Sequence, residues 1–309
     1  MSGFGNHKST VLVRQLRDYG WSGQWGLEPT YQQYLDHLIE FMVEVKRALK
    51  PEGTIWINLG DTYSTQSGSM GSGKWTDPKN PIASNTTFTQ SSPEMQKKCL
   101  MLIPQRFAIR CVDELDLILR NDIIWAKRNG MPESVTDRFS KKHEFFFFFA
   151  KQEKYYFDLD AIRDKQKEIS IKRSMSINHL EQREDFGSKS FSISSVAQNS
   201  YYKKFRENYS KGILQGKNPG DVSDFWDITT KANSAEHYAA FNSELIDKPI
   251  VSGSPKGGII CDPFCGTGTT LFRSYELGRN FIGNDGKKEY VDDANKLWQE
   301  IRSQERLFQ

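Results

Sequence analysis

The chain has 309 residues, enough to bury a large core, and its 42 basic and 39 acidic side chains leave a net charge of only +3, so the global balance selects no partner. No run approaches the roughly 18 apolar residues of a membrane span, and no apolar signal segment opens the chain. The four cysteines, at 99, 111, 261 and 265, form no Cys-x-x-Cys pair, and the histidines show no metal-ligand spacing, so buried thiols in a reducing cytoplasm are expected and a metal site is not.

Glu28-Pro29-Thr30 leads into a helix. Thr30 and Gln33 have capping-box spacing, and Tyr34, Leu35, Leu38, Met42, Val45 and Leu49 recur at helical intervals until Pro51-Glu52-Gly53 ends the pattern. Residues 54–59 then read as a strand closed by Gly60-Asp61, the rhythm of a doubly wound α/β domain. Residues 62–98 are rich in Ser, Gly, Thr, Asn and Pro, which predicts a mobile loop in preference to a DNA-contacting lid. A helix follows from 102 to about 113, then strands at 117–125 and 143–150, the second holding the phenylalanine run 145–149 as a buried strand.

Between residues 163 and 218 twelve basic side chains face six acidic ones, a local +6 that leaves the remainder slightly acidic. Within it "SYYKKFRENYSKG", residues 200–212, interleaves aromatics with cations. Lys172, Arg173, Tyr201, Tyr202, Lys203, Lys204 and Arg206 are candidate DNA contacts there, cations for phosphates and rings for sugars or bases. A solvated loop with its aromatics packed inward is the simpler alternative.

"GGIICDPFCGTGTTLF", residues 257–272, carries the strongest signal. Gly258-Ile259-Ile260-Cys261 reads as a short buried parallel strand stopped by Asp262-Pro263. Gly266 and Gly268 flank Thr267 at a junction with a helix starting near Thr269, where backbone N–H groups and a helix dipole meet a ligand. A second strand at 280–283 ends near Asp285, an acid placed about 20 positions beyond the glycines to accept from ribose hydroxyls. The unit therefore suits an adenosine-containing ligand. It lacks the lysine of a phosphate-cradling loop and, with Leu271, the third glycine of a dinucleotide loop.

The full string Asp-Pro-Phe-Cys-Gly-Thr-Gly-Thr-Thr, residues 262–270, closely resembles the S-adenosylmethionine loop of the amino-methylating DNA methyltransferases, the N6-adenine and N4-cytosine family. Its late position resembles the β order of that family, with the catalytic half first, target recognition in the middle and the cofactor half last. The segment from Leu119 to Arg163 also resembles the family, where it forms a hairpin beside the target-base pocket, with Trp125 before the turn at Met131-Pro132-Glu133-Ser134. Trp226-Asp227-Ile228-Thr229-Thr230 and His237-Tyr238-Ala239-Ala240-Phe241-Asn242 match two further stretches, except that Asn242 stands for a proline.

The resemblance implies an α/β fold, a Rossmann-like sheet with helices on both faces, divided into a catalytic half at 1–162, a target-recognition insertion at 163–220 and a cofactor half at 221–309. It implies S-adenosylmethionine as cofactor, held by Asp262, Phe264, Gly266, Gly268, Thr269 and Thr270, with Asp285 on the ribose and Phe241 along the methionine end. Methyl transfer to N4 of cytosine or N6 of adenine in double-stranded DNA is the implied reaction, and a cognate restriction endonuclease the implied partner.

One family element is missing. An exocyclic amine is a poor nucleophile, and the family positions it with Ser/Asp-Pro-Pro-aromatic, whose oxygens accept the amine hydrogens while the ring stacks on the extruded base. Aligning on "LRDYG", residues 16–20, puts Ser9-Thr10-Val11-Leu12-Val13-Arg14-Gln15 in that place, without either proline or the aromatic. Only eight residues precede Ser9, so the delivering strand, which belongs near the middle of the sheet, is short or missing. "STVLV" as a substitute strand, a truncated or frame-shifted gene start, and a degenerate homologue that binds cofactor or DNA are the alternatives, and no catalytic residue is assigned.

Overall fold

The computed structural model describes residues 10–13, 26, 28–64, 95–130, 133–163, 207, 222–230 and 241–307. The chain divides into two compact units, Met1–Phe157 with Asp224–Gln309, and Asp158–Ser223. Of the second, the described part is a short helix, α3 in chain order (Leu159–Ile162), capped by Asp158, whose carboxylate accepts from the Ala161 N–H at 3.0 Å.

In the first unit the elements are β1 (Thr10–Val13), α1 (Tyr31–Ala48), β2 (Thr54–Leu59), α2 (Ile103–Asp113), β3 (Ile118–Ala126), β4 (His143–Ala150), β5 (Phe225–Asp227), α4 (Glu244–Gly253), β6 (Ile259–Asp262), α5 (Thr269–Glu276), β7 (Asn280–Asp285) and α6 (Lys288–Leu307). No helix among the described residues is long and apolar enough to cross a membrane.

The elements form where local chemistry directs them. Thr30, extended at the N-cap, accepts from the Gln33 N–H at 3.2 Å, and Lys46 and Arg47 sit in the last turn against the negative end of the α1 dipole. Leu35, Ile39 and Met42 form the buried stripe of α1. Pro104 suits the first turn of α2, where its missing N–H costs nothing. Leu102, the N-cap of α2, supplies no side-chain acceptor. Asp61 does so from beyond the end of β2, its carboxylate accepting from the N–H groups of Ile103 at 3.1 Å and Thr62 at 2.9 Å.

A four-stranded sheet has the order β2-β4-β3-β5, with β4 antiparallel to both neighbours and β5 parallel to β3. Because successive side chains on a strand alternate in direction, the phenylalanines of β4 feed two cores. Phe147 and Phe149 pack with α1 and α2 through Leu35, Met42, Phe107 and Cys111. Phe146 and Phe148 pack on the opposite face with Ile123, Trp125, Trp226 and Leu245 of α4. Trp56 lies flat on Phe148, ring centroids 4.1 Å apart. Helices thus cover both faces of this sheet.

The second sheet is parallel, in the order β1-β7-β6. Its core is Leu271 and Phe272 of α5, Phe281 of β7, and Val291, Ala294 and Trp298 of α6. Residues 10–13 do form a strand, but it pairs with β7 and lies at the outer end. Among the described residues no strand pairs with the other edge of β6 or with the edge of β2 remote from β4.

Two sequence expectations are corrected here. The strand at 258–261 is parallel but not buried: Ile259 is 52 % exposed, and Cys261 is exposed beside it. Nor are all the thiols buried, for Cys99 is exposed as well, while Cys111 and Cys265 are buried, with desolvation raising each thiol to about 12. The reason is one-sided cover. The register sets Ile260 beside Phe281, toward α5 and α6, and sends Ile259 and Cys261 to the other face.

Phe149 is fully buried where β4 meets α1 and α2. Truncating it to alanine is expected to remove about 3–5 kcal/mol of stability, read as a lower urea midpoint.

Candidate functional site

The loop between β6 and α5 is built from backbone hydrogen bonds closed on the neighbouring strand. Asp262, the last residue of β6, accepts from the Phe264 N–H at 3.0 Å, turning the chain at Pro263. The Cys265 N–H donates to the Asn284 carbonyl at 2.9 Å and the Gly266 N–H to Asp285 Oδ2 at 2.9 Å, so two successive donors hold the loop on the end of β7. Asp285 also accepts from the Lys287 N–H at 2.9 Å through its other oxygen. Sequence spacing sets Asp285 beside a ligand; in the structure its two oxygens hold the loop and the turn after β7 in shape.

Gly266 and Gly268 have φ of +51° and +96°, conformations that cost a side-chain-bearing residue energy. At Gly268 there is also no room, because a Cβ would lie 2.6 Å from the Phe272 ring. Gly268 is the N-cap of α5 and offers no side chain to that helix, so the first-turn N–H groups are uncapped by it. Thr269 and Thr270 open α5 at this end. A backbone cradle closed by two carboxylates suits a ligand with a nucleoside at one end and a positively charged group at the other.

The electrostatics follow from burial. Desolvation raises the Asp262 carboxyl above its ordinary 3.8, opposed by hydrogen bonds from the Thr270 hydroxyl and the Phe264 N–H and increased again by the Asp285 charge. Arg273 of α5 donates from its guanidinium to both carboxylate oxygens of Asp247 on α4, at 2.6 and 2.7 Å, fixing α5 against α4. Phe264 is 49 % exposed, its ring 5.1 Å from that of Phe41 on α1.

The structure thus gathers Asp262, Phe264, Gly266, Gly268, Thr269, Thr270 and Asp285 on one loop and its flanking ends. Phe241 is partly buried against the Trp226 and Leu245 cluster of the four-stranded sheet. Asn242, where the family pattern has proline, is buried: its side chain donates to the Thr229 carbonyl at 3.0 Å and accepts from the Glu244 N–H at 3.2 Å, tying the end of β5 to the start of α4. Trp125 is buried too, its indole donating to the Ile228 carbonyl at 2.8 Å. Lys172, Arg173, Tyr201, Tyr202, Lys203, Lys204 and Arg206 lie outside the described residues, as do Met131, Pro132 and most of the loop 62–98.

Two buried carboxylates escaped the sequence reading. Asp61, read as a strand terminator, caps α2 and lies 3.9 Å from Lys141, whose ammonium is buried without a hydrogen bond. Glu28, read as the lead into α1, is buried between the Gly26 N–H at 2.8 Å and His37 Nδ1 at 2.9 Å. No local signal marked either acid: Asp61 stands between Gly60 and Thr62, and the partners Ile103, Lys141 and His37 are distant in sequence.

Comparison with known proteins gives a consistent result. A family model described as DNA methylase matches residues 6–296. Type II methyltransferase M.Cfr9I of Citrobacter freundii is 32 % identical over 283 residues, 91 % of this chain and 77 % of its own length. Type II methyltransferase M.XycI of Xanthomonas campestris pv. cyanopsidis is 32 % identical over 276 residues, 89 % of this chain and 75 % of its own. Among solved structures, the cytosine-N4-specific PvuII DNA methyltransferase shares the fold with a TM-score of 0.53 at 15 % identity, over 93 % of this chain and 78 % of that one.

A cationic ligand needs Asp262 ionised, and the raised carboxyl takes up a proton at higher pH than an ordinary aspartate. Affinity for S-adenosylmethionine is therefore expected to fall as pH drops through that raised value and to recover above it. Calorimetric titration across pH checks this. Asp262→Asn should flatten the dependence and weaken binding at neutral pH by roughly tenfold, the scale of one charged hydrogen bond.

Proposed function

The chain belongs to the DNA methylase family, and from that premise we propose how its residues carry out site-specific methylation of DNA with S-adenosylmethionine. The cofactor supplies a methyl group on a sulfonium, an electrophile that needs no further activation. The Gly266–Gly268 turn and the first turn of α5 would hold its amino-acid part, Asp285 its ribose, and Asp262 with Thr270 the positive charge near the sulfur. Phe264 would cover one side of the ligand and Phe241 would line its methionine end. The single observation that carries this reading is the bond from the Gly266 N–H to Asp285, which joins the glycine turn to the acidic strand end as one rigid receptor.

The acceptor is the exocyclic amine of cytosine or adenine. In this reading residues 1–162 form the half that presents the base, 163–220 the recognition insertion and 221–309 the cofactor half. Lys172, Arg173, Lys203, Lys204 and Arg206 would neutralise phosphates while Tyr201 and Tyr202 stack on sugars or bases. A cytoplasmic location and a restriction endonuclease that cuts the same sequence complete the proposal.

A homologue that binds cofactor and DNA without transferring methyl is the second reading. It draws on residues 9–15, which lack the proline pair and aromatic, and on β1, which lies on β7 instead of beside β6. Similarity to type II methyltransferases over about nine-tenths of the chain favours the active enzyme.

The deciding experiment incubates the purified full chain with S-adenosylmethionine and unmethylated genomic DNA and resolves the nucleosides by mass spectrometry. N4-methylcytosine or N6-methyladenine is the expected product. A folded preparation that binds the cofactor and yields neither would establish the second reading. Gly268→Val, which forces a branched side chain into a positive φ and the Phe272 ring, should abolish both cofactor binding and transfer.

A further inference from the structure

Among the described residues of the loop between β3 and β4, Phe139 is a large apolar side chain that the fold does not use. Phe139 is 96 % exposed, whereas Phe146, Phe147, Phe148 and Phe149 on the strand that follows are all buried. Scattered surface apolar groups are ordinary, but a fully solvated phenylalanine on a restrained loop calls for a reason.

That loop is restrained from several sides. On the residue before Phe139, the Arg138 guanidinium donates to Glu133 at 2.6 Å and lies 4.1 Å over the Tyr63 ring. Asp137 pairs with Lys98 from the chain ahead of α2. On the far side, Lys141 approaches Asp61 at 3.9 Å and the Lys142 ammonium donates to the Gly130 carbonyl at 2.6 Å. The Lys127 N–H donates to the Lys142 carbonyl at 2.8 Å, closing the base of the loop. Polar side chains on both sides of Phe139 thus turn back onto the domain and leave the ring outward on a backbone that is already held, so that contact has only the ring itself to order.

Position and charge identify what the ring meets. Since β2, β3 and β5 run in one direction and β4 in the other, the loop stands at the carboxyl ends of three strands, the edge where open α/β sheets take their ligands. Residues 127–142 carry five basic and two acidic side chains; Lys127, Arg128, Arg138 and Lys141 pair with Glu144, Asp227, Glu133 and Asp61, and the Arg128 guanidinium, 72 % exposed within its pair, is the cation this edge presents to a phosphate. Resting on the DNA-methylase reading, we propose that Phe139 is an aromatic wedge that enters the base stack of bound DNA and takes the stacking contact the target base gives up when it leaves the helix. Enzymes that modify a base must extrude it, and an aromatic ring lowers the cost of the gap that results.

The test uses the full-length chain with Phe139→Ala and Phe139→Trp. The probe is a fluorescein-labelled duplex carrying the sequence found methylated in genomic DNA or, if none is, sheared genomic DNA. Loss of a stacking contact should weaken duplex binding by roughly ten- to hundredfold in Phe139→Ala, and tryptophan should restore it. Melting temperature and affinity for S-adenosylmethionine should not move, because the ring has no packed neighbours. With an active enzyme, mispairing the target base should narrow the gap between Phe139→Ala and wild type, since the base then leaves the helix more easily. An alanine variant that binds and methylates matched duplex as wild type does overturns the wedge while the enzyme reading stands. A wild-type chain that neither binds nor methylates DNA overturns both, and one that binds without methylating still reads the wedge through affinity.

Discussion

Five consecutive phenylalanines on one strand can be buried only if the strand has a hydrophobic layer on each side, and the four-stranded sheet is arranged around that requirement. Alternation along β4 sends Phe147 and Phe149 to the α1 and α2 layer and Phe146 and Phe148 to the layer of Trp56, Trp226 and Leu245. A strand apolar on both faces has to be central, so β4 is paired along both edges, by β2 and β3. The consequence reaches the surface. With β4 fixed, the carboxyl ends of β2, β3 and β5 gather at one edge, where Asp61, the β3–β4 loop and the chain toward α4 come together.

The ligand loop depends on a smaller version of the same logic. Its glycines permit the turn, but its shape is held by acceptors on β7, the Asn284 carbonyl and the Asp285 carboxylate. A preformed cradle spends less of its binding energy on ordering. Arg273, gripping Asp247, keeps α5 from swinging its first turn away from that cradle.

Much of this was readable from residues wherever a local rule applied. The boundaries of α1 follow from Thr30 and Pro51, the strand at 54–59 from its place between Pro51-Glu52-Gly53 and Gly60-Asp61, and the strand–turn–helix–strand unit ending at Asp285 from its glycines and motif. What local rules missed was long-range or one-sided. Nothing near Asp61 announces that it caps a helix 42 positions later. Asn242 read as a departure from a pattern, yet its side chain makes three hydrogen bonds, two as donor and one as acceptor, and a proline offers neither group. Ile259 and Cys261 failed for a different reason: a continuous apolar run suggests cover on both faces, and only the neighbours in space show that β6 has cover on one. The basic insertion, whose candidate contacts were chosen from charge and aromatic interleaving, lies outside the described residues and stays a reading of composition.

The outer edge of β6, which no described strand pairs, bears on more than sheet formation. Asp262 is both the last residue of that strand and the first of the glycine loop, so a chain laid along the edge would restrain the carboxylate proposed to face the cofactor. Thermodynamic linkage then works in both directions. Whatever pairs with β6 would change the affinity of the cradle, and a filled cradle would change the affinity of the edge for its partner by the same factor. An open strand edge is ordinarily a hazard to be blunted; an edge whose strand ends at Asp262 would also act on whatever that carboxylate binds.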